Sequence, residues 1–344
     1  MAQLALSFEP ARKLRVVDLC CGAGLASLGF LRSGGYEVQF GVDIWETAAE
    51  AFSAAVHPDQ GVDTGIGVLE AAWDYLGNGP RPDVVVAGPP CQDDSRLGRL
   101  HADKGRGAIK APALMAARWL RPTWIVMEMV SAEYVDWARE EGARQVLKLR
   151  DCDLGGSTIR TRWFAVWGPR DLEVRPRPCR PWNEALGVAD QGAVLATDVN
   201  GRERWRLAKR WGEPAQSVVG HGSSHQLRLS DGTVRRLTPA EEAALQGHPD
   251  LPLDTSDGDV DPATLPYECV NGRWERVRPR KALAVRTAQT LVGNGWPSAF
   301  GRALGEAILE ATAGDPDSLP EVGGWEELDV DQLAEAVRRD RRRG

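Results

Sequence analysis

The stretch LRVVDLCCGAGLASLGFLRSGG, Leu14 to Gly35, decides the fold. Its first six residues form a mostly apolar run of the length of a short buried strand. Gly22-Ala23-Gly24 then makes a glycine-containing turn, the residues after it read as a helix, and Gly34-Gly35 supply the stop. Working outward, YEVQFGVDI (Tyr36 to Ile44) is a second strand, followed by the alanine-rich helix WETAAEAFSAAV. PDVVVAGPP and PTWIVMEMV (Pro122 to Val130) are two more buried strands, the second preceded by the helix APALMAARWL, and TRWFAVWG closes the series. Strands alternating with helices at this spacing imply a parallel α/β sheet. Ligands on such sheets bind at the carboxyl ends of the strands. Asp18, Asp43, Cys91 and Glu128 all fall at or just past those ends.

After about residue 168 the rhythm breaks. GPRDLEVRPRPCRPW is rich in proline and arginine, and the sequence as far as Val234 mixes short strands with turns, including an Asp231-Gly232 hairpin signal. This predicts a second, smaller and more irregular domain. LTPAEEAALQG then opens a helix with clear entry chemistry: Thr238 as N-cap, Pro239 at the first helical position and Glu241 two residues further make a capping box. The tail DVDQLAEAVRRDRRRG reads as a helix ending in a basic run.

The chain has 344 residues, 42% of them apolar, and a formal net charge of −7. That is enough chain to bury a substantial core. The acidic balance argues against a protein whose whole surface grips nucleic acid. Local charge differs: Arg160, Arg162, Arg170, Arg175, Arg177 and Arg180 cluster against only Asp171 and Glu173, and RWERVRPRK adds a second basic stretch. Solvated faces and a one-sided basic cleft are both compatible with that pattern. No apolar run approaches the roughly 18 residues needed to span a bilayer, and the N-terminus carries no secretory pattern, so a soluble cytoplasmic protein is expected. The six cysteines lack metal-ligand spacing, and adjacent Cys20 and Cys21 cannot form a relaxed bridge, so reduced thiols and no metal are expected.

Two groups have residue types suited to chemistry. Gly22-Ala23-Gly24 after a strand is a weak sign of nucleotide or adenosyl binding, strengthened by Asp43 at the end of the next strand, where a carboxylate can accept both hydroxyls of a ribose. A third glycine and a GKS/T sequence are missing, which disfavours dinucleotides and ATP hydrolysis. Cys91 stands on the stiff turn GPPCQDDS, Gly88 to Ser95. A free cysteine is usually a small buried hydrophobe, but the two prolines and polar neighbours point to a presented thiol. Glu128 after WIVM is either a satisfied structural carboxylate or a site acid.

The motifs DLCCGAGLASLGF, VDI, GPPCQ, MEMV, TIRTRW, RRLTPAEEAALQGHPD and LVGNGWP, in this order from residue 15 to about 310, resemble the ordered motifs of the cytosine-C5 DNA methyltransferases. The resemblance implies a Rossmann-like, S-adenosylmethionine-dependent methyltransferase sheet with a smaller, irregular target-recognition domain. Residues 1–168 would be the catalytic and cofactor-binding domain and 169–283 the target-recognition domain, capped helix 238–247 included. Residues 284–315 would return to the catalytic domain, and 316–344 would be a charged tail.

It further implies that Cys91 adds to C6 of a cytosine flipped out of double-stranded DNA, and that Glu128 holds or protonates N3. Arg162 would contact the base, with Arg160 supporting its loop. Asp18, Cys20, Cys21, Gly22, Gly24, Leu25, Asp43, Ile44, Pro89, Asn294 and Gly295 would surround S-adenosylmethionine. The arginines after residue 169 would contact phosphates and base edges. The resemblance fits a monomer of a bacterial or phage modification system, with or without a cognate restriction enzyme or other modification enzyme.

Several positions depart from the family pattern. Met129 stands where an asparagine is usual, Cys20 where an aromatic is, Leu25 for a glycine, Asp94 for a phenylalanine, and Thr158 and Leu291 for glutamines. The aspartate of a third cofactor motif has no clear counterpart near TGIGVLEA. A related scaffold with altered one-carbon chemistry or an RNA substrate, or a silent DNA-binding subunit, are the alternatives these changes leave open.

Overall fold

The computed structural model describes residues 12–57, 59, 61–64, 67–90, 110–132, 134–199, 202–203, 208–220, 225–253, 267–270, 273–276, 285–313 and 319–320, with backbone only for 197–199, 202–203, 267–270 and 273–276. Cys91 and the segment 91–109, residues 254–266, and the tail from residue 321 on lie outside the described residues.

The chain runs β1 (Leu14–Leu19), α1 (Leu25–Arg32), β2 (Tyr36–Asp43), α2 (Glu46–Val56), β3 (Val62–Thr64), α3 (Val68–Asn78), β4 (Val84–Ala87), α4 (Lys110–Trp119), β5 (Trp124–Met129), α5 (Tyr134–Glu140), β6 (Gln145–Arg150) and β7 (Thr161–Trp167). The seven strands form one sheet in the order β3-β2-β1-β4-β5-β7-β6. The order reverses between β1 and β4, and the carboxyl ends there define the crevice where such sheets take ligands. The turn after β1 and the Gly88-Pro89-Pro90 turn after β4 flank it.

The sheet is not wholly parallel, as the alternation had implied. β7 pairs antiparallel with both β5 and β6. The physical reason is the connection: β6 and β7 are joined by the loop 151–160, which holds the 3-10 segment Asp151–Asp153 and no crossover helix, and so short a connection returns the chain antiparallel. β6 itself was not anticipated. It is an edge strand with Lys148 and Arg150 exposed, so it lacks the continuous apolar run of its neighbours.

Each face of the sheet buries its own core. On one, Val17, Leu19, Val85, Ala87, Ile125 and Met127 meet α3 and α4. On the other, Val16, Val84, Val86, Val126 and Phe164 meet α1 and the C-terminal helix. Each fully buried Val, Leu or Phe stabilises by roughly 1.5–3 kcal/mol.

Beyond β7 come α6 (Trp182–Leu186), β8 (Val194–Val199), β9 (Arg202–Glu203), β10 (Lys209–Arg210), β11 (His225–Arg228), β12 (Val234–Arg236) and α7 (Pro239–Leu245). Next are the hairpin β13 (Tyr267–Val270) and β14 (Arg273–Arg276), then α8 (Val285–Asn294) and α9 (Ser298–Ala311). β8, β10, β11 and β12 form a small antiparallel sheet, with β9 pairing only with β8. The Asp231-Gly232 signal is the β11–β12 hairpin, with Gly232 at φ +90°. The capping box of α7 forms in full.

α9 returns to the main sheet and crosses α1 where Gly29 meets Gly301, a contact so close that a Cβ on Gly29 would lie 2.8 Å from the Gly301 Cα. Gln246 at the end of α7 donates to the Val292 carbonyl on α8 and accepts from the Ser298 amide on α9. Buried His248 accepts from Arg32 through Nδ1 and donates from Nε2 to the Trp296 carbonyl. Desolvation and the Arg32 charge push its pKa down to about 3, so it stays neutral.

The arginine-rich segment after β7 is largely exposed and makes ion pairs and hydrogen bonds of its own. Arg175 pairs with Glu310 at 3.0 Å and Arg177 with Glu306 at 2.8 Å, both on α9. Arg170 donates to the Ala311 carbonyl and Arg180 to the Glu184 carbonyl. Arg170, Arg175 and Arg177 thus strap the chain along α9.

Candidate active site

The turn after β1 is built by backbone geometry that sequence chemistry makes available. Cys20 and Gly22 adopt left-handed φ of +58° and +55°, and Gly24, the N-cap of α1, φ of +80°. The Cys21 amide donates to the Val42 carbonyl on β2 and the Gly24 amide to the Cys21 carbonyl, both at 2.9 Å. A Cβ on Gly24 would sit 2.5 Å from a Val56 methyl and 2.8 Å from the Phe52 ring, so glycine is required twice over. Gly22 differs: nothing lies within 4 Å of where its Cβ would be. The turn therefore opens onto space at Gly22.

Asp43 closes this turn from β2. Its Oδ2 accepts from the Gly22 amide and its Oδ1 from the Trp45 amide, both at 2.9 Å. Desolvation raises its pKa while these two amides oppose the shift. Each oxygen keeps acceptor capacity beyond its one amide. Beside it Ile44 is 54% exposed and Trp45 37%, an uncovered apolar shelf at the strand end.

Asp18 is deeper, 1% exposed, and accepts from the Ser27 hydroxyl at 2.6 Å. Burial raises its pKa to about 7, partly offset by Ser27 and reinforced by Asp43. Cys21 is also buried, and desolvation followed by the charges of Asp18 and Asp43 pushes its thiol well up. It is an inert thiol.

Leu25 is buried and faces Gly295, whose Cβ would come within 2.5 Å of the leucine side chain. Gly295 thus packs on the first residue of α1. Asn294 instead presses on Gly220, where a Cβ would come within 3.0 Å of its side-chain carbonyl carbon. Leu291 and Val292 of α8 share an apolar cluster with Leu25, so the leucine that replaces a glycine extends a core already present.

At the other side of the crevice, Glu128 near the end of β5 is paired with Arg162 on β7. Glu128 Oε1 and Arg162 Nε lie 2.6 Å apart, with side chains 12% and 17% exposed. The approach brings charge to charge off the N–H axis, so neither atom has a hydrogen-bond partner. Gly88 ends β4 against this pair: its amide donates to the Leu19 carbonyl, and a Cβ on it would lie 3.3 Å from Trp296 Nε1 and 3.9 Å from Glu128 Oε2. Pro89 follows half-buried. The described chain thus leaves β4 beside Glu128, and Cys91 follows Pro90 in the sequence. Met129 is buried in the apolar core beneath, 5% exposed.

Arg160 is 2% exposed and does not face the crevice. Its Nη1 donates to the Val218 carbonyl at 2.6 Å and the Gly293 carbonyl at 2.9 Å. Asp151 accepts from the amide and hydroxyl of Thr158 at 2.8 and 2.7 Å, fixing the start of the same strand. Burial still raises Asp151 to about 6. Three residues that sequence reasoning missed complete the surroundings: Ser27 on Asp18, Val218 on Arg160, and Trp296, which stacks edge-on with Phe164 at 4.9 Å. Only Trp296 had a signal, its place directly after the GNG element.

Among the described residues, no helix is long and apolar enough to cross a membrane, and no group of three or more His, Cys, Asp or Glu could hold a metal ion.

Comparison with known proteins places this geometry. Residues 14–133 match the family model for the C-5 cytosine-specific DNA methylase. The Type II methyltransferase M1.HphI of Haemophilus parahaemolyticus is 32% identical over 341 residues, covering 86% of this chain and 87% of that protein. The Type II methyltransferase M.HgiDI of Herpetosiphon aurantiacus is 30% identical over 118 residues, covering 34% of this chain and 37% of that protein, so the matched region is well under two thirds of its length. Among solved structures, a prophage-encoded protein of E. coli assigned as a DNA modification methyltransferase superposes with a TM-score of 0.55 at 18% identity, covering 87% of this chain and 99% of that one. At that identity the likeness speaks for the fold.

Proposed function

Because the chain belongs to the C-5 cytosine-specific DNA methylase family, we propose that it is a Type II modification methyltransferase. It would transfer a methyl group from S-adenosylmethionine to C5 of a cytosine flipped out of double-stranded DNA. The observation that carries this reading is the Glu128–Arg162 pair beside Gly88, at the point where the chain turns toward Cys91. A silent binding protein has no physical need to keep a carboxylate and a guanidinium charge to charge and partly buried beside the end of β4.

The residues at the first crevice wall suit the cofactor. Gly22 leaves open space where any side chain would intrude. Asp43 offers acceptor capacity to ribose hydroxyls, and Ile44 and Trp45 offer apolar surface to a purine. S-adenosylmethionine supplies an electrophilic methyl group when bound. The Asp43 carboxylate places negative charge near a cationic ligand, which favours binding it.

On the opposite wall, the chemistry starts from a poor nucleophile. C5 of cytosine becomes electron-rich once the Cys91 thiolate adds to C6, and Glu128 would hold or protonate N3 as charge develops on the ring. Arg162 would turn from Glu128 to the base. Reaching the ring face needs the base out of the duplex, at a cost of a few kcal/mol. The test is covalent trapping: DNA with 5-fluorocytosine at a target site should give an adduct stable to denaturation with the wild type and none with Cys91→Ala. An adduct that survives Cys91→Ala overturns the assignment of the nucleophile.

A further inference from the structure

Trp296 carries a polar group that the chemistry above leaves unused. The residue is 3% exposed, and its ring stands edge-on to Phe164, which faces Glu128 in the β5–β7 register. Its carbonyl accepts from His248 Nε2 at 3.0 Å, while its indole N–H donates to none of the described residues. Trp119 offers a contrast: its indole N–H is also unpaired but sealed in the core, whereas that of Trp296 is not sealed. Trp296 Nε1 borders the bare spot at Gly88, where a Cβ would lie 3.3 Å from it and 3.9 Å from both the Cys20 carbonyl oxygen and Glu128 Oε2. The donor therefore stands between the two walls. A nearly buried N–H without an acceptor is costly, and a bound ligand that accepts from it removes that cost.

The sheet order says which part of a ligand arrives there. β2, β1 and β4 are consecutive neighbours. A purine on the Ile44–Trp45 shelf and a ribose at Asp43 set adenosine over the end of β2, so the rest of the cofactor extends across β1 to the end of β4. That remainder is the methionine part, with a sulfonium, an ammonium and a carboxylate. An indole N–H only donates, so of these three the carboxylate is its partner. None of residues 20–25 and 43–45 is basic, so on this wall a carboxylate must be met by neutral donors. Gly295, just before Trp296, packs on Leu25 at the start of α1, and α1 has no side-chain cap, so its first amides are further donors.

We propose that Trp296 is a cofactor-contacting residue whose indole N–H donates to the methionine carboxylate of S-adenosylmethionine. The proposal rests on the reading of the first wall as the cofactor site, and it assigns the group that fixes the far end of that cofactor.

The test is calorimetry on the full-length protein without DNA. Wild type and Trp296→Phe are each titrated with S-adenosylmethionine and with decarboxylated S-adenosylmethionine, which keeps the adenosine, sulfonium and ammonium. Phenylalanine keeps a ring against Phe164 and removes the N–H, and thermal denaturation checks that the variant is folded. The substitution is expected to weaken S-adenosylmethionine roughly tenfold and to leave the decarboxylated ligand unchanged, since a hydrogen bond to a charged group is lost in the first case alone. The wild type should itself prefer the carboxylated ligand by at least the same factor. Equal losses for both ligands, or no loss for either, overturn the proposal. A wild type that binds both ligands equally overturns it whatever the variant does. Binding of neither ligand to the wild type removes the cofactor site itself, and this contact with it.

Discussion

The two walls of the crevice are held in opposite ways. The wall at β1 and β2 is assembled from its own short loop: the Cys20 to Gly24 turn, with left-handed backbone at Cys20, Gly22 and Gly24, tied to Asp43 just 21 residues away. The wall at β5 and β7 depends on distant chain. Arg162 reaches Glu128 only because β7 is reversed, and the strand is anchored through Arg160 to carbonyls 58 and 133 residues further on. The first wall is a local structure that can form with the sheet. The second is complete only when the small domain and α8 have docked.

Five changes can break or sharpen that contrast. The largest effect belongs to Glu128→Gln, which keeps the shape but removes the charge and the acid: kcat is expected to fall by roughly 10²–10⁴-fold. The unfolding midpoint should stay near wild type, as thermal denaturation would check.

Next is Arg160→Met, which leaves the Val218 and Gly293 carbonyls and Asp151 without their buried cation. A loss of about 3 kcal/mol is expected in urea unfolding. If the second wall really depends on docked distant chain, kcat should suffer while cofactor affinity, read by calorimetry, changes less.

On the first wall, Gly24→Ala combines a left-handed φ with overlap on Val56 and Phe52, and should cost about 2–3 kcal/mol. Gly22→Ala has the same backbone demand but no collision, so a loss of only about 1 kcal/mol is expected, with a disproportionate fall in S-adenosylmethionine affinity. Equal affinities for wild type and Gly22→Ala would remove the cofactor from this turn.

The smallest effect is a pH dependence. Asp18 has a pKa raised to about 7 in the folded protein against 3.8 for the free group. Between those values the folded state holds a proton that the unfolded state has lost, so its stabilising contribution is full at low pH and is withdrawn as pH rises through about 7. Asp18→Asn keeps an acceptor for the Ser27 hydroxyl and should flatten the stability profile across that window, measured by denaturant unfolding at a series of pH values.

The same contrast explains what the sequence could tell. The strand, turn and helix from Leu14 to Arg32 follow from an apolar run, glycines that permit left-handed φ and a helical stripe, all within one short segment. Asp43, Glu128 and the Thr238–Glu241 capping box were legible for the same reason, since each sits at a strand or helix end marked by its neighbours. The direction of β7 was not legible, because it is set by the loop 151–160, which holds no crossover helix, rather than by the composition of TRWFAVW. Nor was the fate of the arginines. Nothing in the sequence shows that α9 brings Glu310 and Glu306 against Arg175 and Arg177, or that Arg160, unlike Arg162, is enclosed by Val218 and Gly293.

The most direct measurement of the central claim is nucleoside mass spectrometry on unmodified double-stranded DNA incubated with S-adenosylmethionine and either the wild type or Glu128→Gln. The expected result is 5-methylcytosine from the wild type and a large deficit from the variant. Unchanged cytosine with the wild type, methylation at another atom, or equal product from both proteins would contradict it.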